Sequence, residues 1–234
     1  MIDSKYRHLF FDLDHTLWDF EGNAQKVIFS LLDHFELAKS GITDPAEFFG
    51  IFSEENNRLW ERYRNGFMRQ DELRYKRFWN SLLRYKIADA GLARNMSEVY
   101  IAQLPEQDQL LPYARDILDY CRAKGYRLHI ITNGFEEVQH RKMRNAGIQD
   151  YFIEVITSER SMSLKPKKEI FDFALEVTGA QIEESIMIGD SWEADIKGAM
   201  AAGWEQIYYN PRADTPALPA TFEIHCLSQL KEIF

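Results

Sequence analysis

Two aspartates separated by one leucine follow an apolar segment near the N-terminus. The segment is His-Leu-Phe-Phe at positions 8–11, and Asp12, Leu13 and Asp14 come directly after it. The pattern predicts a first strand over residues 7–13. Successive side chains of an extended chain alternate between two faces, so Asp12 and Asp14 can project into the same space. Their mutual repulsion is relieved by a cation or a shared proton. The pair therefore suits Mg²⁺, with one carboxylate placed to attack and the other to transfer protons, although a single aspartate also serves as a helix N-cap.

A hydroxyl, an amide and a glycine close a second apolar segment. That segment covers residues 126–132 and ends in Thr132, which Asn133 and Gly134 follow. The hydroxyl and the amide can hydrogen-bond to phosphoryl oxygens, and the glycine lets the backbone approach them closely. Asn-Gly is also an ordinary turn dipeptide, so the tripeptide by itself predicts either a phosphate cradle or a plain turn.

A lysine and two further aspartates follow later apolar segments. Lys165 precedes a proline, which keeps it out of the helical conformation and sets it apart from the solvated lysines that follow. We expect it to be a fixed positive charge between nucleophile and phosphate. Gly189 and Asp190 end the segment at 185–188, and Asp195 lies five residues beyond Asp190. Asp190 is placed to complete a metal site, while Asp195 can brace the loop or reach Lys165.

The arrangement of elements predicts that these groups meet. After residue 105, apolar segments alternate with helical patterns, which predicts an α/β fold with a doubly wound parallel sheet. Such sheets bind ligands at the carboxyl ends of their strands. Residues 21–102 instead show helical periodicity. We predict a catalytic core of residues 1–18 and 105–234, and an all-helical cap of residues 19–104 that would act as a lid.

The composition excludes several classes of protein. The 234 residues carry a formal net charge of −9, which argues against binding to nucleic-acid polymers or anionic membranes. Cys121 and Cys226 have no spacing typical of zinc sites or disulfide frameworks, and we expect both to be buried thiols. The sequence contains neither an apolar signal core nor a stretch of membrane-spanning length. We therefore expect a cytoplasmic protein whose partner is a small molecule.

Taken in chain order, the groups form Asp-x-Asp-x-Thr, Thr-Asn-Gly, Lys-Pro and Gly-Asp-x-x-x-x-Asp. This series resembles the phosphatase side of the haloacid dehalogenase superfamily over essentially the whole chain. The resemblance implies a Rossmann-like core with a helical cap, and Mg²⁺ as cofactor. It also implies that Asp12 attacks phosphorus to become a phosphoaspartate, and that Asp14 is first the general acid and then the general base. Dehalogenases of the superfamily lack the second aspartate, so Asp14 favours phosphate-ester hydrolysis.

The same resemblance implies roles for the other residues. Thr132 would hold the phosphoryl group, with Asn133 beside it, and Lys165 would stabilise its charge. The Mg²⁺ ligands would be Asp12, the backbone carbonyl of Asp14, and Asp190. Three residues would support the site: Gly134, Gly189 and Asp195.

Residues 11–21 look like the opening of the pyrimidine 5′-nucleotidase branch of this superfamily. That likeness implies a nucleoside monophosphate as the phosphomonoester substrate. His15 and Trp18 would then lie at the entrance to the cap, although a loop histidine is commonly solvated and a tryptophan there can simply pack the hinge. Phosphoglycolate and sugar phosphates are also compatible with the core motifs. The candidate pocket residues of the cap are Tyr63, Phe67, Arg69, Tyr75 and Arg77.

Other classes of protein account for fewer of these features. A receiver domain also phosphorylates an aspartate near other carboxylates, a threonine and a lysine, but so compact a module has no place for the helical insertion. A dinucleotide-binding domain would need G-x-G-x-x-G after the first strand, and the sequence lacks it there. Release of phosphate from an aryl phosphate supports an enzyme, whereas stable phosphorylation without turnover supports a receiver.

Overall fold

The computed structural model describes residues 5–214 and 218–234. The chain forms two compact units. Unit one comprises Met1–Phe20 and Asp108–Phe234, and unit two comprises Glu21–Gln107. Unit two is therefore an insertion in the sequence of unit one, with bounds two or three residues from the predicted ones.

Unit one is built on a parallel sheet. Its strands are β1 (His8–Phe11), β2 (Arg127–Thr132), β3 (Phe152–Thr157), β4 (Ser185–Gly189), β5 (Glu205–Tyr209) and β6 (Phe222–Ile224). Across the described residues these six strands lie in the order β3-β2-β1-β4-β5-β6, and each neighbouring pair is parallel. The predicted doubly wound parallel sheet is confirmed.

Strand β1 lies between β2 and β4, and this position explains why the segment before Asp12 is almost entirely apolar. All four residues of β1 are buried, and Phe10 lies opposite His129 of β2 and Met187 of β4. Strands covered on both faces need continuous apolar runs rather than alternation. The chain proceeds from β1 to β2 and β3 on one side, and β4 to β6 lie on the other. At such a reversal, the carboxyl ends of the strands border a crevice where ligands bind.

The regular secondary structure of unit two is all helical. Its helices are α1 (Phe20–His34), which starts at the last residue of unit one's first segment, α2 (Pro45–Arg64), α3 (Gln70–Arg84) and α4 (Ala90–Gln103). Asp44 caps α2, because its side chain accepts hydrogen bonds from the N–H groups of Ala46 and Glu47. Three helices contribute aromatic rings to the interior, with centroids 5.0 to 5.4 Å apart: Phe52, Phe78 and Tyr100.

Helices separate most of the strands of unit one along the chain. They are α5 (Ala114–Ala123), α6 (Glu136–Asn145), α7 (Ser158–Ser161), α8 (Lys168–Thr178), α9 (Lys197–Ala201) and α10 (Leu230–Ile233). A π-helical turn, Trp192–Ile196, leads into α9. On one face of the sheet Phe10 contacts Trp204, which in turn contacts Phe171, with centroids 4.7 and 5.6 Å apart. These buried rings hold β1 and α8 in one core.

Several details differ from the sequence-based predictions. The first strand was predicted over residues 7–13 but ends at Phe11, because the N–H groups of Leu17 and Trp18 turn back to the carbonyl of Leu13. The short strand β6 had no recognisable pattern. Cys121 is buried as expected, whereas Cys226 is only half-buried. None of the helices in the described ranges has the length and apolar character needed to cross a membrane.

Candidate active site

Asp12 and Lys165 form a buried ion pair at the carboxyl end of β1. The Asp12 N–H donates to the Ile188 carbonyl at 2.9 Å, so the backbone stays aligned with β4 for one residue beyond the strand. The Lys165 ammonium donates to Asp12 Oδ1 at 2.6 Å and to the Ile131 carbonyl at 2.7 Å. Only 2% of the lysine side chain is exposed. Its charge is therefore fixed beside Asp12.

Asp195 pairs with the same ammonium. Its Oδ1 lies 2.6 Å from Lys165 Nζ, and its Oδ2 accepts a hydrogen bond from Ser191 N at 3.0 Å. A Cβ at position 189 would lie 2.3 Å from Asp195 Oδ2. Gly189 is thus needed because the Asp195 carboxylate packs directly against the end of β4. The two alternatives left open for Asp195, bracing the loop and reaching Lys165, are both seen in the structure.

Asp190 is connected to the loop after β1 through a threonine. Thr16 Oγ1 donates to Asp190 Oδ1 at 3.1 Å and accepts from Asp190 N at the same distance. Thr16 is fully buried. The hydroxyl therefore joins the loops that follow β1 and β4, which are neighbours in the sheet but far apart in the chain.

Asp12, Asp190 and Asp195 bring carboxylate oxygens within 4.8 Å of one another. Burial raises the pKa of Asp190 well above its ordinary value, and the charges of Asp195 and Asp12 raise it further. Burial also raises the pKa of Asp12, against the opposing effect of Lys165. Burial alone would lower the pKa of Lys165, but Asp12 and Asp195 raise it above its usual value. The cluster is short of positive charge.

This donor set fits a hard divalent cation. Buried carboxylates that outnumber their cationic partner are stabilised by such an ion, and oxygen is the ligand atom that Mg²⁺ prefers. Both oxygens of Asp195 already contact protein donors. Within the described residues, Asp12 and Asp190 each keep one oxygen without a protein donor. Asp12 and Asp190 are thus better suited than Asp195 to bind the ion.

The Thr132-Asn133-Gly134 turn is connected to Lys165. Asn133 Nδ2 donates to the Lys165 carbonyl at 2.9 Å, and Asn133 Oδ1 accepts from Lys165 N at 2.7 Å. Thr132 Oγ1 accepts from Gly134 N at 3.1 Å. Asn133 thus uses both ends of its amide to hold the backbone of the lysine, which suits a positioning role. The Thr132 hydroxyl hydrogen is left to donate elsewhere.

The side chain of Asp14 lies outside the carboxylate cluster and contacts α6. Asp14 Oδ1 accepts from Lys142 Nζ at 2.6 Å, and Asp14 Oδ2 accepts from Gln139 Nε2 at 2.9 Å. The same Gln139 nitrogen donates to Thr132 Oγ1 at 2.8 Å. The proposed acid–base residue is therefore held by a helix that follows a different strand.

Sequence reasoning missed Gln139, Lys142 and Thr16. The first two could have been suspected from α6 itself, because its sequence EEVQHRKMRN contains Val138 and Met143 as its apolar residues. A helix of this kind that packs on a sheet must bury polar side chains on its inner face. The motif Asp-x-Asp-x-Thr contains Thr16, but the spacing does not indicate its partner.

The remaining candidates differ in how far they are exposed. Trp18 is fully buried, as expected for hinge packing. His15 is exposed, and its ring lies 4.9 Å from that of Phe20. Of the residues considered for a pocket in unit two, one is buried, two are half-buried and two are exposed: in that order Arg77, Tyr63 with Tyr75, and Phe67 with Arg69.

Comparison with known proteins identifies related sequences over most of the chain. Residues 6–203 match the family model of the haloacid dehalogenase-like hydrolases. The pyrimidine 5′-nucleotidase PynA of Streptococcus pneumoniae is 32% identical over 96% of this chain and 93% of its own length. The pyrimidine 5′-nucleotidase YjjG of Escherichia coli is 31% identical over 98% of both chains. The magnesium-bound crystal structure of the HAD-hydrolase YfnB from Bacillus subtilis is similar with a TM-score of 0.87 at 29% identity, over 97% of this chain and 98% of that one.

Proposed function

The chain belongs to the haloacid dehalogenase-like hydrolase family and is a phosphatase, and we propose that it hydrolyses pyrimidine nucleoside 5′-monophosphates, deoxy forms included. The observation that carries the chemistry is the buried Asp12–Lys165 ion pair at 2.6 Å, next to the carboxylates of Asp190 and Asp195. The substrate is supported by PynA and YjjG, which align with nearly the whole chain, and by the likeness of residues 11–21 to that branch.

In this proposal Asp12 is the nucleophile of the first step. One of its carboxylate oxygens bonds to phosphorus in line with the ester bond, which breaks and leaves its electron pair on the 5′-oxygen. Asp14 donates a proton to that oxygen, so the nucleoside leaves as an alcohol. The Lys165 ammonium, held by Asp195 at 2.6 Å, offsets the negative charge of the phosphoryl oxygens.

The second step regenerates Asp12. Asp14 takes a proton from a water molecule whose oxygen attacks phosphorus, and the bond between phosphorus and the Asp12 oxygen breaks. Inorganic phosphate is the product. The Thr132 hydroxyl accepts hydrogen bonds from Gly134 and Gln139, so its own hydrogen is available to a phosphoryl oxygen throughout.

Mg²⁺ is the proposed cofactor. We expect Asp12, Asp190 and the backbone carbonyl of Asp14 to hold it, while Asp195 braces Lys165. When bound, the ion supplies positive charge beside the phosphoryl oxygens. Thr16 orients Asp190 through the hydrogen bond at 3.1 Å.

Substrate preference must come from outside these core residues. They can hydrolyse any phosphomonoester that reaches them, so selectivity depends on contacts that favour one leaving group over another. We expect that preference to be encoded in unit two, Glu21–Gln107, whose aromatic residues include candidates for stacking on a base.

A substrate screen with Mg²⁺ tests this proposal. Phosphate release should give a kcat/KM at least about 10-fold higher for dUMP, UMP or dTMP than for phosphoglycolate or a hexose phosphate, since binding contacts differ between these leaving groups. Exchange of residues 21–107 with those of a related phosphatase should shift that preference. A clear preference for phosphoglycolate or a hexose phosphate would rule out the nucleotidase assignment, and stable phosphorylation without turnover would indicate a receiver-like protein.

A further inference from the structure

We propose that Gln139 and Lys142 are positioning residues that hold the Asp14 carboxylate for hydrolysis of the phosphoenzyme. The inference rests on the proposed function, because Asp14 has this second step to perform only if Asp12 becomes phosphorylated. Gln139 and Lys142 are three positions apart on α6 and so leave the same face of the helix. Both are buried, with exposures of 0% and 2%.

Both oxygens of Asp14 are engaged by this pair. Lys142 Nζ donates to Oδ1 at 2.6 Å, and Gln139 Nε2 donates to Oδ2 at 2.9 Å. An ionised carboxylate accepts hydrogen bonds and donates none. Two donors on two different oxygens fix the plane of the group as well as its location. The orientation of Asp14 is therefore set by α6 rather than by the loop that carries it.

The ammonium of Lys142 is itself held in place by aromatic rings. It lies 4.4 Å from the ring centroid of Trp18 and 5.5 Å from that of Phe20. A cation over an aromatic face is attracted by the ring quadrupole. Trp18 is fully buried. A long side chain that would otherwise be mobile is in this way confined to one position beside Asp14.

Gln139 connects Asp14 to the residue expected to bind the phosphoryl group. Its Nε2 donates to Asp14 Oδ2 and, at 2.8 Å, to Thr132 Oγ1. A Cβ at position 134 would lie 2.3 Å from Gln139 Cδ. Gly134 thus leaves the space that the amide occupies. One side chain sets the relative placement of the acid–base residue and the phosphate-binding hydroxyl.

The hydrogen bonds from Gln139 and Lys142 to Asp14 should affect the second step, hydrolysis of the phosphoenzyme, more than the first. An activated leaving group departs without a proton, so transfer of its phosphoryl group to Asp12 does not depend on Asp14. Attack by water does, because its proton must pass to a carboxylate oxygen at a defined position, and a positioned base contributes roughly 10²- to 10⁴-fold. The remaining lone pairs of a carboxylate held by two donors are available to accept that proton.

Pre-steady-state kinetics with p-nitrophenyl phosphate and Mg²⁺ test the inference. In Lys142→Met we expect a burst of about one p-nitrophenolate per active site, followed by a kcat about 100-fold below that of the parent, because the phosphoenzyme accumulates. KM should fall in parallel, so that kcat/KM stays within about threefold. Gln139→Met should likewise lower kcat while leaving kcat/KM nearly unchanged. Lys142→Arg should recover much of kcat, and Arg144→Met, an exposed position on the same helix, should match the parent.

Each alternative outcome overturns a specific statement. Equal losses in kcat and kcat/KM without a burst would mean that the two residues are merely structural, and parental rates in both variants would mean that Asp14 needs neither. If Lys142→Met does not fold, Gln139→Met and Gly134→Ala, which displaces the same amide, decide between these results. Parent protein that releases no p-nitrophenolate would overturn the proposed phosphatase activity itself.

Discussion

Each unit of this protein buries a cation, and the surroundings of the two differ. In unit one, Lys165 lies 2.6 Å from both Asp12 and Asp195. In unit two, Arg77 is only 4% exposed, and its guanidinium donates to the neutral amide oxygen of Asn56 at 3.4 Å rather than to a carboxylate. Its guanidinium also lies on three ring faces, at 4.5, 5.7 and 6.0 Å from the centroids of Tyr100, Phe78 and Phe52.

The two environments move the pKa values in opposite directions. Asp12 and Asp195 raise the pKa of Lys165 despite its burial, whereas burial lowers the pKa of Arg77 to about 10. The faces of aromatic rings offset part of the positive charge of a buried cation, but they place no anionic group beside it that could take part in a reaction. Carboxylates that outnumber their cation are costly to bury, and such strain is concentrated at functional sites. We infer that the charge of unit one serves chemistry and that of unit two serves packing.

The largest effect should come from the nucleophile. In Asp12→Asn, turnover of any phosphomonoester should fall by about 10⁴-fold or more, because covalent catalysis has no substitute group. The melting temperature should stay the same or rise, since one buried negative charge is removed from a crowded cluster. Phosphate release with Mg²⁺ and thermal unfolding measure both. Near-parental turnover would contradict the assignment of Asp12, and a large loss of stability would mean that the site serves packing after all.

A smaller effect should follow from loss of the metal ligand. Asp190→Ala should lower kcat at ordinary Mg²⁺ concentrations by about 10³-fold, because the positive charge at the phosphoryl group is bound less tightly. Raising the Mg²⁺ concentration should recover part of the loss, and chelation should abolish the parent's activity reversibly. Thr16→Val, which removes only the hydroxyl that orients Asp190, is the matched control and should lose less. Full activity of the parent in excess chelator would exclude a metal role for this cluster.

The cations themselves provide the direct comparison. Lys165→Met leaves two buried carboxylates unpaired and should lower the free energy of unfolding by about 3 kcal/mol, together with turnover. Arg77→Met removes a charge that no carboxylate balances, together with a long hydrogen bond to Asn56 Oδ1. Sulfur also contacts the surrounding aromatic rings favourably, so the substitution should change that free energy by no more than about 1 kcal/mol. Urea unfolding and p-nitrophenyl phosphate turnover compare the two variants. Loss of turnover in Arg77→Met, with its stability intact, would show that the charge of unit two also has a functional role.

His129 represents a third way to bury a titratable group, since it is held uncharged. Burial, followed by His8 and Arg127, lowers its pKa from 6.5 to about 3. His8 Nδ1 lies 3.0 Å from His129 Nε2 across β1 and β2. Between pH 6.5 and about 3 the unfolded chain binds a proton that the folded chain does not, so stability falls as the pH falls. From pH 7 to pH 5 this histidine should account for about 2 kcal/mol.

Substitution isolates that contribution. His129→Phe keeps a ring against Phe10, and its free energy of unfolding should fall by less than that of the parent between pH 7 and pH 5. His34→Gln, at an exposed position in α1, should retain the parent's slope. Asp12 and Asp190 have raised pKa values, so they make the protein more stable as the pH falls, in the parent and in the variant alike. The contribution of His129 is therefore the difference between the pH slopes of the variant and the parent. Parallel slopes would mean that His129 is protonated in the folded state.

Much of the fold was predictable because its determinants are local. The apolar runs before Asp12, Thr132 and Gly189 mark strands whose flanking residues reach the same edge of a parallel sheet. Helix ends can also be predicted from local sequence. Asp44 and Pro45 begin α2, and both residue types are preferred at the start of a helix. The strand β6 was not predicted, because the sequence of a three-residue edge strand is too short to be distinguished from that of a loop.

The sequence by itself determined which residue types stand at the ends of the strands and where the helical insertion begins. Only the tertiary structure decided which of those side chains touch. Asp195 and Lys165 are 30 positions apart, and Asp14 and Lys142 are 128 positions apart. Their contact depends on the order β2-β1-β4 and on the rotation of α6 against the sheet. Periodicity records which face of an element is apolar, but a polar contact between distant elements depends on packing that no local pattern encodes.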